Sequence, residues 1–398
     1  MSRRHIVIVG GGIIGCTTAY YLTRHPEFDP SNVTVTLIET SARGAAQGAS
    51  GKAGGLVAKW AYPHEIVGIS FDEHVKLAEE HGGRERWGWR YVATGSWEGR
   101  SEREVKPGHS GQKSLEKKLG LDKGRKLKGL PDDLLWVEES LTKSYSSMAP
   151  DGATAQVHPY LFTTSMLELA KEKGVAFESG TVTSIVQDGG RVTAIEWIPV
   201  GESTTQTIQG VTDVILCAGA WSTKLVPALP IQGTRAHSVV IRTRPDALIA
   251  PYVLFTEITG TGNDVVSPEI YARPDGTVYA CGPGDDSPLP DSVDDVAVDD
   301  VAAENVWRNV TSISEELMEG TVEVKQACFL PVSSIGGGPI IGEAEGIAKG
   351  LFVATGHTCW GISNAPGTAK AVAELVLEGK ARCVDLRKLH PSKFSRHL

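Results

Sequence analysis

Near its start the chain reads His5-Ile6-Val7-Ile8-Val9, followed at once by Gly10-Gly11-Gly12-Ile13-Ile14-Gly15. The first run predicts a buried strand, and the apolar spacing of the residues that follow predicts a helix, so the glycines lie where a strand turns into a helix. Gly10 allows a tight turn, Gly12 leaves room for a diphosphate beside the backbone, and Gly15 lets the helix pack closely on the strand. Unpaired N–H groups at the helix N-terminus attract the anion. The stretch therefore predicts a site for a dinucleotide pyrophosphate.

A carboxylate at the end of the second predicted strand narrows the choice among dinucleotide ligands. The apolar run Val33-Thr34-Val35-Thr36-Leu37-Ile38 ends in Glu39, 24 residues beyond Gly15. A carboxylate at this place can accept hydrogen bonds from two ribose hydroxyls and would repel a 2′-phosphate. We therefore expect FAD or NAD rather than NADP, and the alternative is a glycine-rich turn that holds no ligand.

Size and composition are those of an ordinary enzyme. The chain has 398 residues, 41% of them hydrophobic, with a net charge of −9, and its length suits about two to three domains. An acidic chain gives no general reason to expect a nucleic-acid partner. No stretch reaches the length of about 18 apolar residues that a membrane-spanning helix needs, so we expect no integral membrane segment and a cytoplasmic location. The six cysteines form no CxxC pair, which predicts neither a disulfide framework nor a metal site.

Three unusual segments interrupt the regular patterns. Residues 44–55 are almost all small, which suits backbone lying against a large flat ligand; a flexible linker is the alternative. Residues 100–128 carry ten Lys or Arg against four Asp or Glu, and are interpreted as a solvated loop, with docking on an acidic partner or an anionic membrane surface as the alternative. Residues 285–304 carry eight acids and no base, and predict a solvated excursion.

The remaining periodicity indicates that the nucleotide-type pattern returns late in the chain. We predict helices over 71–82, 159–173 and 366–377, an aromatic-rich strand over 87–91, and further strands over 175–178, 182–186, 192–197, 213–218 and 351–355. The last strand is followed by a glycine-rich loop, Gly356-His357-Thr358-Cys359-Trp360-Gly361, and then by a helix. This is the same order of strand, glycine-rich loop and helix N-terminus as in the opening turn. The cofactor domain is therefore predicted to be discontinuous in sequence.

With these segments in place, the chain resembles the FAD-dependent D-amino-acid oxidase superfamily, which includes glycine, sarcosine and fructosyl amino acid oxidases. The resemblance rests on the opening glycines with Glu39, on the segments 50–55, 214–222 and 270–276, and on the closing pair 339–342 and 356–357. More narrowly, residues 5–20, 50–60 and 355–366 resemble a fungal group of FAD oxidoreductases associated with endosome-to-Golgi recycling. The latter resemblance implies a cytoplasmic protein that associates with endosomes.

The resemblance implies an α/β plus α+β fold, with a Rossmann-like FAD-binding domain and a substrate domain built on an antiparallel sheet, as in glycine oxidase. We place the FAD-binding domain at residues 1–60, 150–225 and 325–398, and the substrate or cap domain at residues 61–149 and 226–324. It further implies an FAD-dependent oxidoreductase that oxidises the CH–NH bond of an amino acid or secondary amine by hydride transfer to flavin N5. The alternative is a flavin-binding trafficking or scaffold protein with little or no oxidase activity.

Carried over residue by residue, the resemblance implies a long cofactor site. The glycines meet the pyrophosphate, Glu39 the ribose, Ser50 and its neighbours the phosphate and ring, and His357 the isoalloxazine. The full set is Gly10, Gly12, Ile13, Ile14, Gly15, Glu39, Thr40, Ser50, Gly51, Lys52, Ala53, Gly54, Gly55, Leu56, Val182, Ala218, Gly219, Trp221, Gly342, Gly356, His357, Cys359, Trp360, Gly361 and Ile362.

The catalytic candidates are groups that could bind the carboxylate of an amino acid or tune the flavin. Arginine is the usual clamp because its planar fork binds a carboxylate with two hydrogen bonds. The cations best placed by pattern are Arg273, Arg235 and Lys59, each of which also suits a surface role. Tyr271 and its neighbour Tyr279 alternate along a strand that matches the family's substrate wall. His357 is the candidate for tuning the flavin.

Two positions set this sequence apart within the family. Trp360 stands where sarcosine oxidases carry a lysine three residues after the histidine, so either another cation binds the substrate or the substrate is not a simple amino acid. Cys328 falls near the position at which sarcosine and fructosyl amino acid oxidases attach flavin covalently, but Ser333-Ser334-Ile335-Gly336 lacks their following pattern. We therefore expect non-covalent FAD, with a covalent link at Cys328 as the alternative.

Overall fold

The computed structural model describes residues 3–106 and 129–394, so most of the basic segment 100–128 and the docking role predicted for it lie outside the described residues. Within these residues the helices are α1 (Ile13–Arg24), α2 (His64–His81), α3 (Gly83–Trp87), α4 (Pro159–Lys171), α5 (Ser222–Leu225), α6 (Asp300–Thr311), α7 (Glu315–Met318) and α8 (Gly361–Glu378). In this part of the chain no helix combines the length and apolarity required to cross a bilayer.

The first sheet has eight strands with a parallel centre. In spatial order its strands are β10 (Gln206–Gln209), β9 (Arg191–Pro199), β8 (Ala176–Asp188), β2 (Val33–Glu39), β1 (Arg4–Val9), β11 (Asp213–Leu216), β19 (Leu351–Thr355) and β18 (Ile340–Glu343). The strands β8, β2, β1, β11 and β19 run parallel, and the outer ones join antiparallel.

The buried part of the central strand β1, residues 6–9, is entirely apolar because both of its faces are covered. Alternate side chains of a strand point to opposite faces. Ile6 and Ile8 of β1 pack into the core shared with α1, α4 and α8, whereas Val7 and Val9 pack into a second core on the other face. A strand buried on both sides needs apolar residues at every position, as expected in a parallel sheet.

The second sheet is mostly antiparallel and lies against the first unit. Its strands, in spatial order, are β17 (Thr321–Ser333), β12 (Ile231–Arg242), β16 (Thr277–Asp285), β15 (Glu269–Ala272), β13 (Tyr252–Thr259), β5 (Ala93–Arg100) and β6 (Thr142–Ser147), with β14 (Val265–Val266) paired to β13. One face packs on α6 and α7, through residues such as Ile270 and Val278. The other face presents Tyr271 and Tyr279 toward the first unit.

Some segments near the predicted domain boundaries at residues 61 and 325 pack with the other domain from the one to which we assigned them. Helix α2 falls in the piece 61–149, yet its apolar face, including Phe71 and Leu77, is buried in the core with α1 and α8. Strand β17 begins before residue 325 and continues to Ser333 as an edge strand of the second sheet. A small sheet of β3 (Leu56–Ala58), β7 (Thr154–Gln156) and β4 (Arg90–Tyr91) joins pieces of chain from both assignments.

The local predictions differ from the structure mainly at the ends of elements. The helix predicted over 71–82 begins earlier, at His64, and the strand predicted over 87–91 is reduced to Arg90–Tyr91 because Trp87 ends a short helix. The strands predicted over 175–178 and 182–186 form one strand, β8. The helix predicted over 366–377 begins earlier, at Gly361, and so contains Pro366 in its interior.

Candidate functional site

The turn between β1 and α1 tolerates only glycine at two positions. Gly10 has a φ of +109°, and a Cβ placed on it would lie 2.5 Å from the backbone oxygen of Cys217. A Cβ on Gly15 would lie 2.0 Å from the carbonyl oxygen of Gly10, which is the close helix-to-strand packing expected from the sequence. A Cβ on Gly12 would meet only the Ser50 hydroxyl, at 3.1 Å. The backbone at Gly12 is therefore open on the side that faces the ligand cavity.

The turn before α1 and the first residue of α1 are held by two side chains from distant parts of the chain. The Ile13 N–H donates to Ser50 Oγ at 2.9 Å, and the Gly11 N–H donates to Glu39 Oε2 at 2.6 Å. The other oxygen of Glu39 accepts from the Ser41 N–H at 2.9 Å. Burial raises the pKa of Glu39, and these backbone donors oppose the rise. The carboxylate is thus anchored at the turn while it lines the cavity.

A cavity of about 680 Å³ starts at this turn and reaches the second sheet, where Tyr271 and Tyr279 form its wall. The predicted cofactor residues that line it are Gly10, Gly12, Ile13, Ile14, Glu39, Thr40, Ser50, Lys52, Ala53, Gly54, Val182, Ala218, Gly219, Trp221, His357, Cys359, Gly361 and Ile362. Residues from the start, the middle and the end of the chain therefore meet around one space, as the discontinuous pattern predicts.

Other predicted cofactor residues lie behind this surface. A Cβ on Gly51 would meet the Ala46 carbonyl oxygen at 2.0 Å, and one on Gly55 the Val157 carbonyl oxygen at 1.9 Å, so both glycines shape the loop from behind. A Cβ on Gly342 would lie 2.8 Å from the Pro391 side chain, and Gly342 is not part of the cavity lining. The remaining members of this group are Gly15, Leu56, Gly356 and Trp360, which are packed into the structure next to lining residues.

The cations predicted to clamp a carboxylate do not line the cavity. Arg273 is buried, donates from Nη2 to the Ala53 carbonyl oxygen at 3.0 Å, and lies with its guanidinium carbon 5.2 Å from the centre of the Tyr279 ring. It therefore supports the small-residue loop from behind the tyrosine wall. Arg235 pairs with Asp285 at 3.1 Å.

Lys59 also lies away from the cavity. It is exposed, and its Nζ is 4.7 Å from the centre of the Phe71 ring. An ammonium over an aromatic face is a favourable surface contact, so the position is explained by packing against α2 rather than by substrate binding.

The glycine-rich loop after β19 brings His357 to the cavity in its neutral form. The side chain is buried, and its Nε2 lies 3.1 Å from the Thr368 hydroxyl in α8. Burial lowers the pKa of His357 to about 3, so the ring carries no charge at neutral pH. The adjacent N-terminus of α8 contributes Gly361 and Ile362 to the lining, and its partial positive charge favours an anionic group placed there.

Helix α8 can begin five residues before its proline because a side chain from α2 replaces the hydrogen bond that the proline cannot make. Pro366 has no N–H to donate to the carbonyl oxygen of Ile362, one turn before it. His74 Nε2 from α2 lies 2.9 Å from that oxygen and replaces the missing donor. Burial lowers the pKa of His74 to about 4, so its ring is neutral. Helix α2 thus supplies the donor that α8 lacks in its first turns, where α8 begins at the cavity.

Trp360 occupies an aromatic cluster rather than the cavity surface. Its ring centre lies 5.5 Å from that of Trp60 and 5.8 Å from that of Tyr62, both in edge-to-face geometry. The side chain is 2% exposed. The residue at the position of the sarcosine oxidase lysine therefore packs between the two units and is not part of the described cavity lining, and its contact with the cofactor stays a prediction.

Cys328 lines the cavity next to Lys52, as its position in the sequence suggested. The Lys52 ammonium donates to the Ala327 carbonyl oxygen at 2.9 Å. Burial raises the pKa of the Cys328 thiol to about 11, and the charge of Lys52 only partly opposes the rise. A thiol in its protonated form is a weak nucleophile.

We expect the flavin to be released when the protein is precipitated with acid, because the protonated Cys328 thiol is not activated to attack it. The supernatant should be yellow, and the mass of the denatured chain should equal that of the sequence. A yellow pellet that becomes colourless in the Cys328→Ser variant would show a covalent bond instead.

The sequence reasoning missed part of the substrate-side wall. Glu269 and Cys281 line the cavity beside Tyr271 and Tyr279. The signal was present in the two-residue alternation of strands, since Glu269 is two positions before Tyr271 and Cys281 two positions after Tyr279. Other missed lining residues are Thr181, Asn309, Phe329, Leu330, Pro331 and Thr355.

Comparison with known proteins agrees with this architecture. The family model described as DAO, FAD dependent oxidoreductase, matches residues 5–375. TDA3 of Saccharomyces cerevisiae, provisionally named as an oxidoreductase, is 33% identical, with 99% of this chain and 95% of that protein aligned. The similarly named C1F5.03c of Schizosaccharomyces pombe is 32% identical, with 98% of each chain aligned.

A solved structure shares the fold. Glycine oxidase from Geobacillus kaustophilus superposes with a TM-score of 0.72 at 19% identity over 100% of both chains. This confirms the predicted architecture of a Rossmann-like domain with an antiparallel-sheet domain. The family match confirms the resemblance drawn from the glycine turn, Glu39 and the closing loop. The chain therefore belongs to the DAO family of FAD-dependent oxidoreductases.

Proposed function

We propose that the protein oxidises the CH–NH bond of an amino acid or a secondary amine. The observation that carries the proposal is the continuity of the cavity, which joins the glycine turn at Gly10 to the wall formed by Tyr271 and Tyr279. When bound, FAD supplies an acceptor for the hydride and its electrons. Among the described residues, the second sheet supplies the part of the cavity wall, at Tyr271 and Tyr279, against which a substrate would lie.

The residues of the turn fit FAD. Gly10 and Gly15 bring the start of α1 against β1, Gly12 leaves its backbone open to the cavity, and the buried Glu39 is positioned for ribose hydroxyls. The small-residue loop then supplies Lys52, Ala53 and Gly54 to the same space. A Cβ on Gly54 would lie 2.7 Å from the Tyr271 ring, so glycine is needed where the loop meets the tyrosine wall.

The described residues position the amine and keep water away from it. Tyr271 and Tyr279 are 5% and 6% exposed, and burial raises the pKa of both hydroxyls well above the usual range, so both remain protonated donors. His357, neutral and bonded to Thr368, has too low a pKa to serve as a strong base near neutral pH. An amine that enters in its neutral form needs no such base, because orientation beside the acceptor is the main requirement.

We expect the yellow colour of the purified protein to bleach when an amine substrate is added without oxygen, because hydride transfer removes the visible absorbance of oxidised flavin. A panel of amino acids, N-methyl amino acids and secondary amines is followed by stopped-flow absorbance, with dithionite as the control that the flavin can be reduced. If dithionite bleaches the flavin and no amine or hydroxy acid does, the proposal fails and the non-catalytic scaffold alternative gains support.

A further inference from the structure

Part of the acidic segment that joins β16 to α6 crosses from the second unit to the first. Residues 286–295 of this segment are called the strap here. Near one end of the strap, Asp294 contacts the loop that follows β2. Three residues earlier, Asp291 pairs at 2.6 Å with Lys224 of α5, the helix that follows β11. The strap is therefore fixed to the first unit at two places.

The two attachments lie on opposite sides of the glycine turn. Strand β1 pairs with β2 on one side and with β11 on the other, and the turn begins at Gly10, directly after β1. A segment that is fixed to the loop after β2 and to the helix after β11 therefore passes across the turn. Asp291 and Val293 of the strap line the same cavity as Gly10 and Gly12. A dinucleotide held at the turn would thus have α1 on one side and the strap on the other.

The carboxylate of Asp294 accepts four hydrogen bonds from the first unit. Ser41 Oγ donates at 2.7 Å, the Ala42 N–H at 3.1 Å, and Arg43 from Nη2 at 2.8 Å and from Nε at 3.1 Å. These contacts are called the latch here. Burial alone would raise the pKa of Asp294, but the hydrogen bonds from Ser41 and Arg43 lower it, so the carboxylate is ionised at neutral pH. Hydrogen bonds to an ionised group are roughly twice as strong as those between neutral groups.

The other attachments of the strap are few and mostly exposed. Of its ten residues, all of which the structure describes, only Val293 is buried. The pair of Asp291 with Lys224 is exposed, and such pairs contribute little to stability. The Pro290 carbonyl oxygen accepts one hydrogen bond from Trp221 Nε1, at 2.8 Å. Segments with few buried apolar contacts open locally at a small cost in free energy. The strap can therefore open while both sheets stay folded.

We propose that the strap is a gate for FAD, which opens to admit or release the cofactor and is held closed by the latch. The acidic composition of the strap is compatible with an anionic cofactor, because Arg43 and Lys224 of the first unit pair with Asp294 and Asp291 in the closed state. The proposal concerns the exchange of the cofactor and does not depend on the amine proposed as substrate.

The test measures FAD exchange in the holoenzyme. Replacement of bound FAD by an excess of radiolabelled FAD gives the dissociation rate constant, and dilution of the holoenzyme until flavin is released gives the Kd. The association rate constant is the first value divided by the second. We expect Asp294→Asn to raise both rate constants at least about tenfold, because the substitution removes the charge that strengthens the latch. The Kd should change much less than either rate constant, since a gate acts on entry and exit alike.

Asp295→Asn is the matched control for the loss of one negative charge. Asp295 is the next residue, is exposed, and makes no side-chain hydrogen bond or ion pair within the described part of the chain, so this variant should exchange FAD at the native rate. Native exchange in Asp294→Asn would refute the gate. Faster release with an unchanged association rate constant would also refute it, and would show instead that Asp294 holds the bound state through Ser41 and Glu39.

A reversible cross-link tests whether the strap must move. The Cβ position of Gly48 lies 3.6 Å from Val293 Cγ2, which is within the reach of a disulfide. The double variant Gly48→Cys, Val293→Cys is therefore oxidised as the holoenzyme. We expect the oxidised form to release FAD at least about tenfold more slowly than the same protein reduced with dithiothreitol, because the closed strap can no longer open. Equal release from the two forms would show that FAD leaves by another path and would overturn the proposal.

Discussion

The Gly10→Ala variant is expected to be purified without flavin, or not to fold at all. Alanine at this position must adopt a φ of +109° with its Cβ 2.5 Å from the Cys217 backbone oxygen, and both residues directly follow the paired central strands β1 and β11. The strain can be relieved only by separating β1 from β11 or by moving the turn out of the cavity. The ratio of flavin to protein absorbance after purification measures the effect.

Two further glycine variants separate the effect of a positive φ from the effect of a Cβ contact. Gly44 also has a positive φ, +87°, but nothing lies within 4 Å of its Cβ position, so Gly44→Ala should cost about 1 kcal/mol of stability and keep its flavin. Gly12→Ala has ordinary dihedral angles, and its Cβ would lie 3.1 Å from the Ser50 Oγ that caps α1 beside the cavity, so this variant should fold and bind added FAD at least about tenfold more weakly. Full flavin content in Gly10→Ala would contradict the assignment of this turn.

The holoenzyme is expected to lose stability steeply between pH 6.5 and about 4, through His74 and His357. The folded-state pKa values are lowered to about 4 and about 3, whereas an unfolded histidine titrates near 6.5. In this range the unfolded chain binds more protons, so stability falls as the pH falls. By pH 5 each histidine should cost about 2 kcal/mol relative to pH 7. For a chain of this size the pair should lower the Tm by about 5 °C.

The contribution of His74 can be isolated by substitution. A glutamine side chain can still donate to the Ile362 carbonyl oxygen but does not titrate, so His74→Gln should reduce the difference in Tm between pH 7 and pH 5 by the share of His74 alone, about 2 to 3 °C. His64→Gln, at an exposed position at the start of the same helix, is the matched control and should show the native difference. A native difference in His74→Gln would contradict the role assigned to this buried ring.

The cofactor side of the site was predictable because its chemistry is local. Gly10, Gly12 and Gly15 act within one turn, and Glu39 follows one strand later, so spacing along the chain is enough to indicate the ligand. The same holds for the strand Leu351–Thr355, whose predicted bounds match the structure. Each of these features needs no knowledge of how distant segments meet.

The substrate side was less predictable because it depends on which face each side chain takes. Arg273 lies two residues after Tyr271, yet the strand ends at Ala272 and the arginine turns behind Tyr279 to bond Ala53. Trp360 is adjacent in sequence to lining residues but is packed with Trp60, 300 residues earlier. The start of α8 was missed because Pro366 ordinarily limits a helix, and the compensating donor, His74, comes from another helix. Such contacts are set by tertiary packing.

The assembly of the cavity from distant pieces of chain also has a consequence during synthesis. Residues of the first turn, near Gly10, are made long before Thr355, His357 and Ile362, which close the opposite side of the same space. A nascent chain that has emerged only as far as β11 has the phosphate-binding turn without the helix α8 that completes the site. We therefore expect the growing chain to acquire its flavin only after α8 has left the ribosome, so that scarcity of FAD affects chains in which both sheets have already been synthesised.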